Sequence, residues 1–500
     1  MIFSSGRQKD LLIIFFLIGL SLLIFYPVFY SEYAYTDEIV QLWFYPNDKS
    51  YHMFLPQGRY ITEKLFQWLF GSAGTIKDIS YIRLFSLGGW VISIPIWYYV
   101  IKNIVRREKL PEVLAFFATL YLVCTPQFTI YVSWASCLEL FLANTSGLLS
   151  GYFLYSSIGD NEKLKTPVKG IVLSILFGVI SLFTYQNGFG CFLIPFLLHL
   201  IAKPKNLKTI FIAIVIYLFI YVIYYFLFKY NLRANNVEAS SRTNLNINIV
   251  NKFKFMYSRP LSSAFQFTYL FNEKSIAGYI VYALILGGWT ILSFYRLRFL
   301  PFIKRFQYLA IVFLFFGLMY IPSLVIKENY SSNRTLLALK IAVFFLVMEL
   351  VISHIKKNRN RVVFVAIISA LFVINSWFNF NKQFLSPITQ EYAQLRSFIE
   401  TNYHRGIDTV YFIRPGEDFF VREFGITRSW DEFGVPSSFF DWVPEFLVKQ
   451  VVFEKTGNRE LAEKLVIKHW LGKGLYLQSG EKPSGNSLVI DAEEIIGVDK

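Results

Sequence analysis

Apolar stretches long enough to cross a bilayer recur along this 500-residue chain as far as residue 380. A helix needs about 20 apolar residues to span the hydrocarbon core. Candidate spans lie at 11–30, 83–101, 110–126, 137–157, 170–185, 188–202, 209–229, 277–295, 308–326, 335–354 and 362–380. Only 17% of residues are charged, whereas soluble domains contain about a quarter. The sequence therefore predicts an α-helical polytopic membrane protein with about eleven transmembrane helices, and it excludes a soluble or disordered chain.

The distribution of basic residues predicts the orientation. The first span follows Arg7 and Lys9, and no small-residue cleavage site comes after it, so we interpret it as an uncleaved anchor. Lys and Arg concentrate in one set of alternate short loops and are sparse in the long loops 31–82 and 230–276. The positive-inside rule then predicts a cytoplasmic N-terminus, with the long loops and the C-terminus outside. This pattern explains the net charge of +15 without nucleic-acid binding.

The composition changes after residue 380. Short runs typical of a helix or of strands follow, at 392–399, 409–413, 475–477 and 488–490. We predict a transmembrane domain over 1–380 and a small α/β extracytoplasmic domain over 381–500, a usual domain length. Within the second domain, 428–434 and 439–442 combine Trp with acidic residues, which suits either carbohydrate contacts or a packed core with a polar rim.

Three acidic residues are candidates for chemistry. Asp37 and Glu38 lie just beyond the first span, ahead of an amphipathic aromatic stretch at 61–70 that is typical of the membrane interface. They could act on a substrate whose tail stays in the bilayer, or they could only mark the end of the span. Glu139 lies at the outer turn of a predicted span, where an ionisable group favours a functional site over a residue that reaches water.

Three outward arginines, Arg242, Arg259 and Arg334, form the second set of candidates. Arginine binds phosphate through a planar, bidentate fork. Arg334 stands directly before a predicted span and is favoured as a lipid-phosphate ligand, whereas the other two fit either a phosphate site or a solvated loop. Tyr185 and Gln186 could bind sugar hydroxyls, but a simple turn between two spans is the safer interpretation.

Together these features resemble the GT-C superfamily of membrane glycosyltransferases that use polyprenyl-phosphate sugars. Within it, the chain is most similar to the bacterial O-antigen glucosyltransferase (type II) family. The resemblance covers 1–380 and rests on the acidic pair after the first span, the Gly58-Arg59 element and the later Tyr185-Gln186. This sequence has Asp-Glu where the family commonly has Asp-Asp, which leaves open which carboxylate acts.

The resemblance implies an inverting transfer of a hexose, such as glucose, from a polyprenyl-phosphate-linked donor to a glycan or lipid-linked acceptor. Asp37 would be the base, because an acceptor hydroxyl needs one. Glu38 or Glu139 would orient the acceptor. Arg334, with Arg59 as a second candidate, would stabilise the phosphate leaving group. A divalent metal is compatible with the clustered carboxylates, but no ligand spacing demands a metal or another cofactor.

Two other functions fit a chain of this kind. A transporter or lipid flippase typically shows internal repeats and broken helices near the midplane, and no repeat is visible here. A polysaccharide polymerase also acts on polyprenyl-linked sugars, but its large functional loop would be expected late in the chain. The resemblance implies the inner or plasma membrane of a prokaryote; in a eukaryote the outer side would be the lumen of the endoplasmic reticulum.

Overall fold

The computed structural model describes residues 6–158, 167–245, 248–483 and 485–497. The part of the chain up to residue 378 is helical, and its helices are α1 Gly6–Phe25, α2 Asp37–Phe44, α3 Tyr60–Leu69, α4 Ile79–Arg107, α5 Val113–Cys124, α6 Pro126–Ser133, α7 Leu140–Ser157, α8 Pro167–Thr184, α9 Ile194–Ala202, α10 Leu207–Ala234, α11 Ile249–Met256, α12 Ser262–Phe265, α13 Ile276–Arg296, α14 Phe302–Met319, α15 Ile321–Val325, α16 Leu337–His354 and α17 Asn358–Phe378. The expected helical membrane protein is therefore confirmed in its class.

The structure contains fewer candidate spans, by length and composition, than the eleven that the sequence predicts. Within the described ranges, seven helices are long and apolar enough to cross a membrane. They cover Gly6–Phe29, Ile76–Arg107, Leu207–Ala234, Ile276–Arg296, Phe302–Met319, Leu337–His354 and Asn358–Asn402. An eighth is formed if α5 and α6, which meet at an angle of 51°, make one bent span. The count of eleven stays a prediction.

The region between residues 137 and 202 accounts for much of this difference. Here α7 packs against α8, and the backbone then forms a 3₁₀ segment over Gln186–Leu193 before α9. Gly147 and Gly151 of α7 allow this packing, because a Cβ on either would lie 2.4 Å or less from a carbonyl oxygen of the 3₁₀ segment. The helices in this region are therefore tightly packed, and α9 contains only nine residues, which suits a buried core as well as separate spans.

The C-terminal region contains α18 Ser386–Asn402, β1 Thr409–Arg414, α19 Phe419–Phe424, α20 Val443–Thr456, α21 Arg459–Glu463, β2 Val466–Leu471, α22 Gly472–Gln478, β3 Ser487–Asp491 and α23 Ala492–Ile496. The three strands form a parallel sheet in the order β2-β1-β3. The predicted small α/β region is confirmed. Two details differ: residues 475–477 lie in α22, and the neighbouring strand at 466–471 was not predicted.

The two regions share one continuous helix. A π-helical segment, Asn379–Leu385, joins α17 to α18, so the helix runs unbroken from Asn358 to Asn402. The change in composition at residue 381 therefore falls inside a helix instead of in a flexible linker. This helix leads directly from the predicted membrane region to the C-terminal sheet.

The C-terminal region docks on the first long loop. Backbone and side-chain groups of the two segments bond directly: the Tyr35 hydroxyl donates to the carbonyl oxygen of Asp431 at 2.7 Å, and the Thr36 amide donates to Ser437 Oγ at 2.8 Å. Arg459 stacks on the ring of Trp43 at 4.0 Å and donates to its carbonyl oxygen. These contacts place residues 428–442 against the start of α2.

Candidate functional site

Asp37 is the first residue of α2 and is only half-buried. Its carboxylate accepts a hydrogen bond from the indole of Trp442 in the C-terminal region. Burial raises the pKa of Asp37 above its ordinary value, the charges of Arg334 and Arg242 oppose this shift, and Asp431 reinforces it. A carboxylate whose pKa is moved toward neutrality is a better general base than an ordinary one.

The backbone directly before this aspartate is strained. Thr36 has a φ of +46°, a left-handed conformation that β-branched residues rarely adopt. Trp430 has a φ of +57°, and it directly precedes Asp431. Both outliers therefore adjoin carboxylates of one neighbourhood. Strained residues of this kind persist where the surrounding structure fixes them, and they cluster at functional sites.

Glu38 has a different environment, although it is the next residue. It is fully buried and forms an ion pair with the fully buried Arg83. Its other hydrogen bonds come from the backbone amides of Tyr35, at 2.7 Å, and Ala135, at 2.5 Å. Both carboxylate oxygens are thus occupied by protein groups. This geometry leaves Asp37 as the member of the pair that is open to a substrate.

Arg334 is held beside Asp37 by aromatic residues. Its guanidinium lies 4.3 Å from the ring centre of Trp134, and its Nε donates to the Tyr330 hydroxyl at 2.7 Å. The same guanidinium is 3.6 Å from Asp431 Oδ2, which also accepts a hydrogen bond from Tyr330 at 3.1 Å. The side chain remains 19% exposed, so an anionic ligand can reach it.

Asp431 and Glu432 bring two further carboxyl groups to the site. Glu432 is buried and accepts weak hydrogen bonds from the amide and side chain of Asn333, both at 3.4 Å. Burial, followed by the adjacent charge of Asp431, raises the pKa of Glu432 well above its ordinary value. Sequence reasoning placed these residues only in a Trp-and-acid segment; it could not show that the segment folds back onto Asp37.

The predicted Gly-Arg and Tyr-Gln elements contact one another. The Arg59 guanidinium stacks on Tyr185 at 4.3 Å, and its Nε donates to Gln186 Oε1 at 3.2 Å. Gln186 Nε2 in turn donates to the Tyr224 hydroxyl at 2.9 Å. Gly58 has a φ of +78°, and a Cβ there would lie 2.2 Å from the Tyr224 oxygen, so only glycine fits. The Tyr-Gln pair is therefore both a turn and part of a polar cluster.

Glu139 is a further carboxylate on which both this cluster and Arg334 act electrostatically. It precedes α7 and is 1% exposed, and its Oε2 has no hydrogen-bond partner among the described residues. Both Arg59 and Arg334 are close enough to act on it electrostatically. An unpaired buried carboxylate oxygen is costly, so this position is suited to receiving a hydrogen-bond donor.

The remaining two arginines, Arg242 and Arg259, lie in different places. Arg242 is exposed in the second long loop and acts electrostatically on Asp37. Arg259 lines a different cavity of about 340 Å³, together with Ser262, Gln266 and Trp430. Of the nine residues singled out from the sequence, Arg259 is thus the one that lies in a separate cavity, and Trp430 borders that cavity beside Asp431.

An apolar groove of about 830 Å³ lies nearby, between α11 and the pair α14 and α15. Lys252 closes one part of it by donating to the carbonyl oxygen of Ile326 at 2.6 Å and to Asn329 at 2.8 Å. Tyr320 connects the end of α14 to the Arg334 segment, because its hydroxyl donates to the carbonyl oxygen of Tyr330 at 3.0 Å. Sequence reasoning did not identify this groove, since its walls come from segments far apart in the chain.

No protein-family model matches the sequence, and comparison with curated proteins finds no significant match. Across the described ranges, no group of three or more His, Cys, Asp or Glu side chains is arranged to hold a metal ion. A divalent metal requirement therefore stays a prediction. The interpretation of the site rests on its geometry and chemistry.

Proposed function

We propose that the protein is an integral membrane glycosyltransferase of the GT-C type. It transfers a hexose, such as glucose, from a polyprenyl-phosphate donor to a surface glycan such as O-antigen. The proposal includes eleven spans, a cytoplasmic N-terminus and an outward site in a prokaryotic cell envelope. The observation that carries it is the convergence of Asp37, half-buried and with a raised pKa, and Arg334, held by Trp134 and Tyr330, in one accessible neighbourhood.

The reaction follows from these two groups. The acceptor hydroxyl gives its proton to the Asp37 carboxylate while its oxygen forms a bond to the anomeric carbon. The bond from that carbon to the phosphate oxygen breaks, and its electron pair leaves with the polyprenyl phosphate. Arg334 stabilises the charge of the leaving phosphate, so no acid is needed there. A single displacement of this kind inverts the configuration at the anomeric carbon.

Two neighbouring features support the placement of the substrates. The apolar groove of about 830 Å³ can hold part of a polyprenyl chain. Its wall residue Ile321 directly follows Tyr320, whose hydroxyl donates to the carbonyl oxygen of Tyr330 in the segment that contains Arg334. The cavity beside Arg259 contains hydroxyl, amide and indole groups, which are suited to an acceptor sugar. Trp430, which directly precedes Asp431 in the chain, lines this cavity. We propose that the donor approaches Asp37 from the side of Arg334 and the acceptor from the side of Trp430.

The test compares the surface glycans of four strains by mass spectrometry: wild type, a deletion, Asp37→Asn and Asp48→Asn. Asp48 is an exposed aspartate of the same loop and serves as the matched control. We expect the deletion and Asp37→Asn to lose the mass of one hexose, and Asp48→Asn to keep it. Removal of a general base typically costs about 10²- to 10⁴-fold in rate.

Other results would change the conclusion in defined ways. If the deletion removes the hexose and Asp37→Asn retains it, the base is another carboxylate, and Glu139 is tested next. Loss of whole polymer chains instead of one hexose would indicate a polymerase. A deletion that leaves every glycan unchanged contradicts the proposal and favours a transporter or flippase.

A further inference from the structure

A second polar cavity, of about 460 Å³, lies at the other end of the helices that hold the candidate site. Glu139 precedes α7 at the site, and Tyr155, in the last turn of the same helix, lines this cavity. The two residues are sixteen positions apart, which corresponds to a rise of roughly 24 Å along the helix. The cavity is therefore independent of the groups around Asp37.

A buried, ion-paired carboxylate lies behind two residues that line this cavity. Glu108 accepts hydrogen bonds from the Tyr155 hydroxyl and from His199 Nδ1 at 2.8 Å, and it forms an ion pair with Lys203 Nζ at 3.1 Å. Burial alone would raise its pKa, but the hydrogen bonds from His199 and Tyr155 outweigh burial and lower the pKa of Glu108 to about 2. Glu108 is thus ionised near neutral pH, and its charge is already compensated by the protein.

Basic side chains lie on the described part of the wall. Arg107, Lys203 and Lys205 all line the cavity. Lys203 is paired with Glu108, and Arg107 donates to the carbonyl oxygens of Tyr155 and Ile158. Lys205 is exposed, and its Nζ lies 5.8 Å from the ring centre of Phe299. This concentration of basic side chains on the described wall, with Lys205 exposed, favours an anionic ligand.

A buried polar atom points to the same conclusion. His199 is 5% exposed and lines the cavity, and its Nε2 has no hydrogen-bond partner within the described part of the chain. Because Nδ1 is directed to Glu108, Nε2 is the nitrogen left for another group. Buried polar groups are rarely left unsatisfied without a ligand or water. A protonated Nε2 would donate to an anionic oxygen.

The walls also contain apolar surface. Ile158, Ala202 and Phe299 lie beside the basic side chains, and α10, one of the apolar helices long enough to span a membrane, begins at the cavity with Leu207. A site that combines cations with apolar walls at the end of membrane helices is suited to a phosphate on an acyl chain.

We propose that this cavity binds a phosphate group at the membrane face opposite Asp37. Lys203, Lys205 and His199 contact the phosphate oxygens, and Phe299 packs against whatever carries the phosphate. The source of the phosphate is either the headgroup of an anionic phospholipid or a soluble phosphate. The inference does not depend on the glycosyltransferase proposal.

The test uses the purified full-length protein in detergent and measures ligand binding by native mass spectrometry and thermal shift. The probes are phosphatidylglycerol, phosphatidylcholine and inorganic phosphate. We expect phosphatidylglycerol to bind more tightly than phosphatidylcholine, and Lys203→Gln/Lys205→Gln to weaken that binding roughly tenfold, since each lost charge-assisted bond is costly. Lys356→Gln/Lys357→Gln removes the same charge from exposed positions in another basic loop and should leave binding unchanged.

Since Lys203 also pairs with Glu108, Lys205→Gln alone is the second variant, and it leaves the Glu108 network intact. Competition by inorganic phosphate would identify a soluble phosphate as the ligand, whereas selective retention of phosphatidylglycerol would identify a lipid. The proposal is overturned if neither probe binds selectively, or if the control and cavity variants lose binding equally.

Discussion

Asp37 and Glu38 are adjacent carboxylates, but they lie beside different arginines and differ in burial. Glu38 and Arg83 are both fully buried, with partners on every carboxylate oxygen. Asp37 is half-buried beside Arg334, which is itself 19% exposed and shared with Asp431. The closed pair holds the loop against the membrane helices, whereas the open group remains available to a ligand. The structural carboxylate and the candidate catalytic carboxylate therefore differ not in charge but in two other properties: how exposed each one is, and whether protein groups already bond both of its oxygens.

The largest expected effect breaks the closed pair. Arg83→Ala leaves the carboxylate of Glu38 buried without its counter-ion, so we expect the free energy of unfolding to fall by about 3–5 kcal/mol. Thermal unfolding of the purified protein measures this. The control is Arg405→Ala, an exposed arginine of the C-terminal region, which should change stability little. A small effect of Arg83→Ala would show that the buried pair does not hold the loop.

The second prediction concerns how transfer activity and stability depend on pH through Asp37. Because the pKa of Asp37 is raised, its base form is lost earlier as pH falls, and transfer should decrease about tenfold per pH unit below that pKa. A raised carboxyl pKa also means that the folded state binds more protons, so this group lowers stability as pH rises through it. Asp37→Asn should therefore unfold at the same or a higher temperature than wild type at pH 7.

The measurement pairs a pH–rate profile with melting temperatures of wild type and Asp37→Asn. A profile that stays flat down to the ordinary aspartate pKa would contradict the assignment of Asp37 as the base. Marked destabilisation by Asp37→Asn would place Asp37 in the same class as Glu38, as a structural group.

The smallest effect concerns the orientation of Arg334. Tyr330→Phe removes the hydroxyl that bonds both Arg334 Nε and Asp431. Such a bond contributes about 1 kcal/mol, which corresponds to a rate loss of roughly fivefold if it is made in the transition state. Steady-state kinetics tests this, with Tyr230→Phe as the control, because Tyr230 is an exposed tyrosine of α10 that lines neither proposed substrate cavity. Equal rates for wild type and Tyr330→Phe would show that Trp134 alone orients Arg334.

The sequence predicted the local features well. Apolar runs identified the helices, and Asp37, Arg59, Gln186 and Arg334 were each selected by residue type and position at a predicted boundary. Arg83 was not selected, because one arginine at the start of an apolar helix gives no signal of its partner. The outcome for Glu38 could not be predicted for the same reason.

Long-range contacts were the other limit. Tyr35 and Asp431 are bonded although 396 residues separate them, and no local pattern specifies such a pairing. Strand β2 was missed because Lys468, His469 and Trp470 do not give an apolar run. The run at 475–477 forms a helix, since three residues cannot distinguish a strand from a helical turn.

The unbroken helix from Asn358 to Asn402 contains 45 residues and is therefore roughly 67 Å long. Because the helix is continuous, its helical phase at the end of the predicted span sets the angular position of the C-terminal sheet. One residue inserted near the π-helical segment would rotate everything beyond it by about 100° and advance it by about 1.5 Å. Trp442 and Asp431 would then move away from Asp37 together. The number of residues in this one helix therefore determines whether the distant 428–442 segment contacts Asp37.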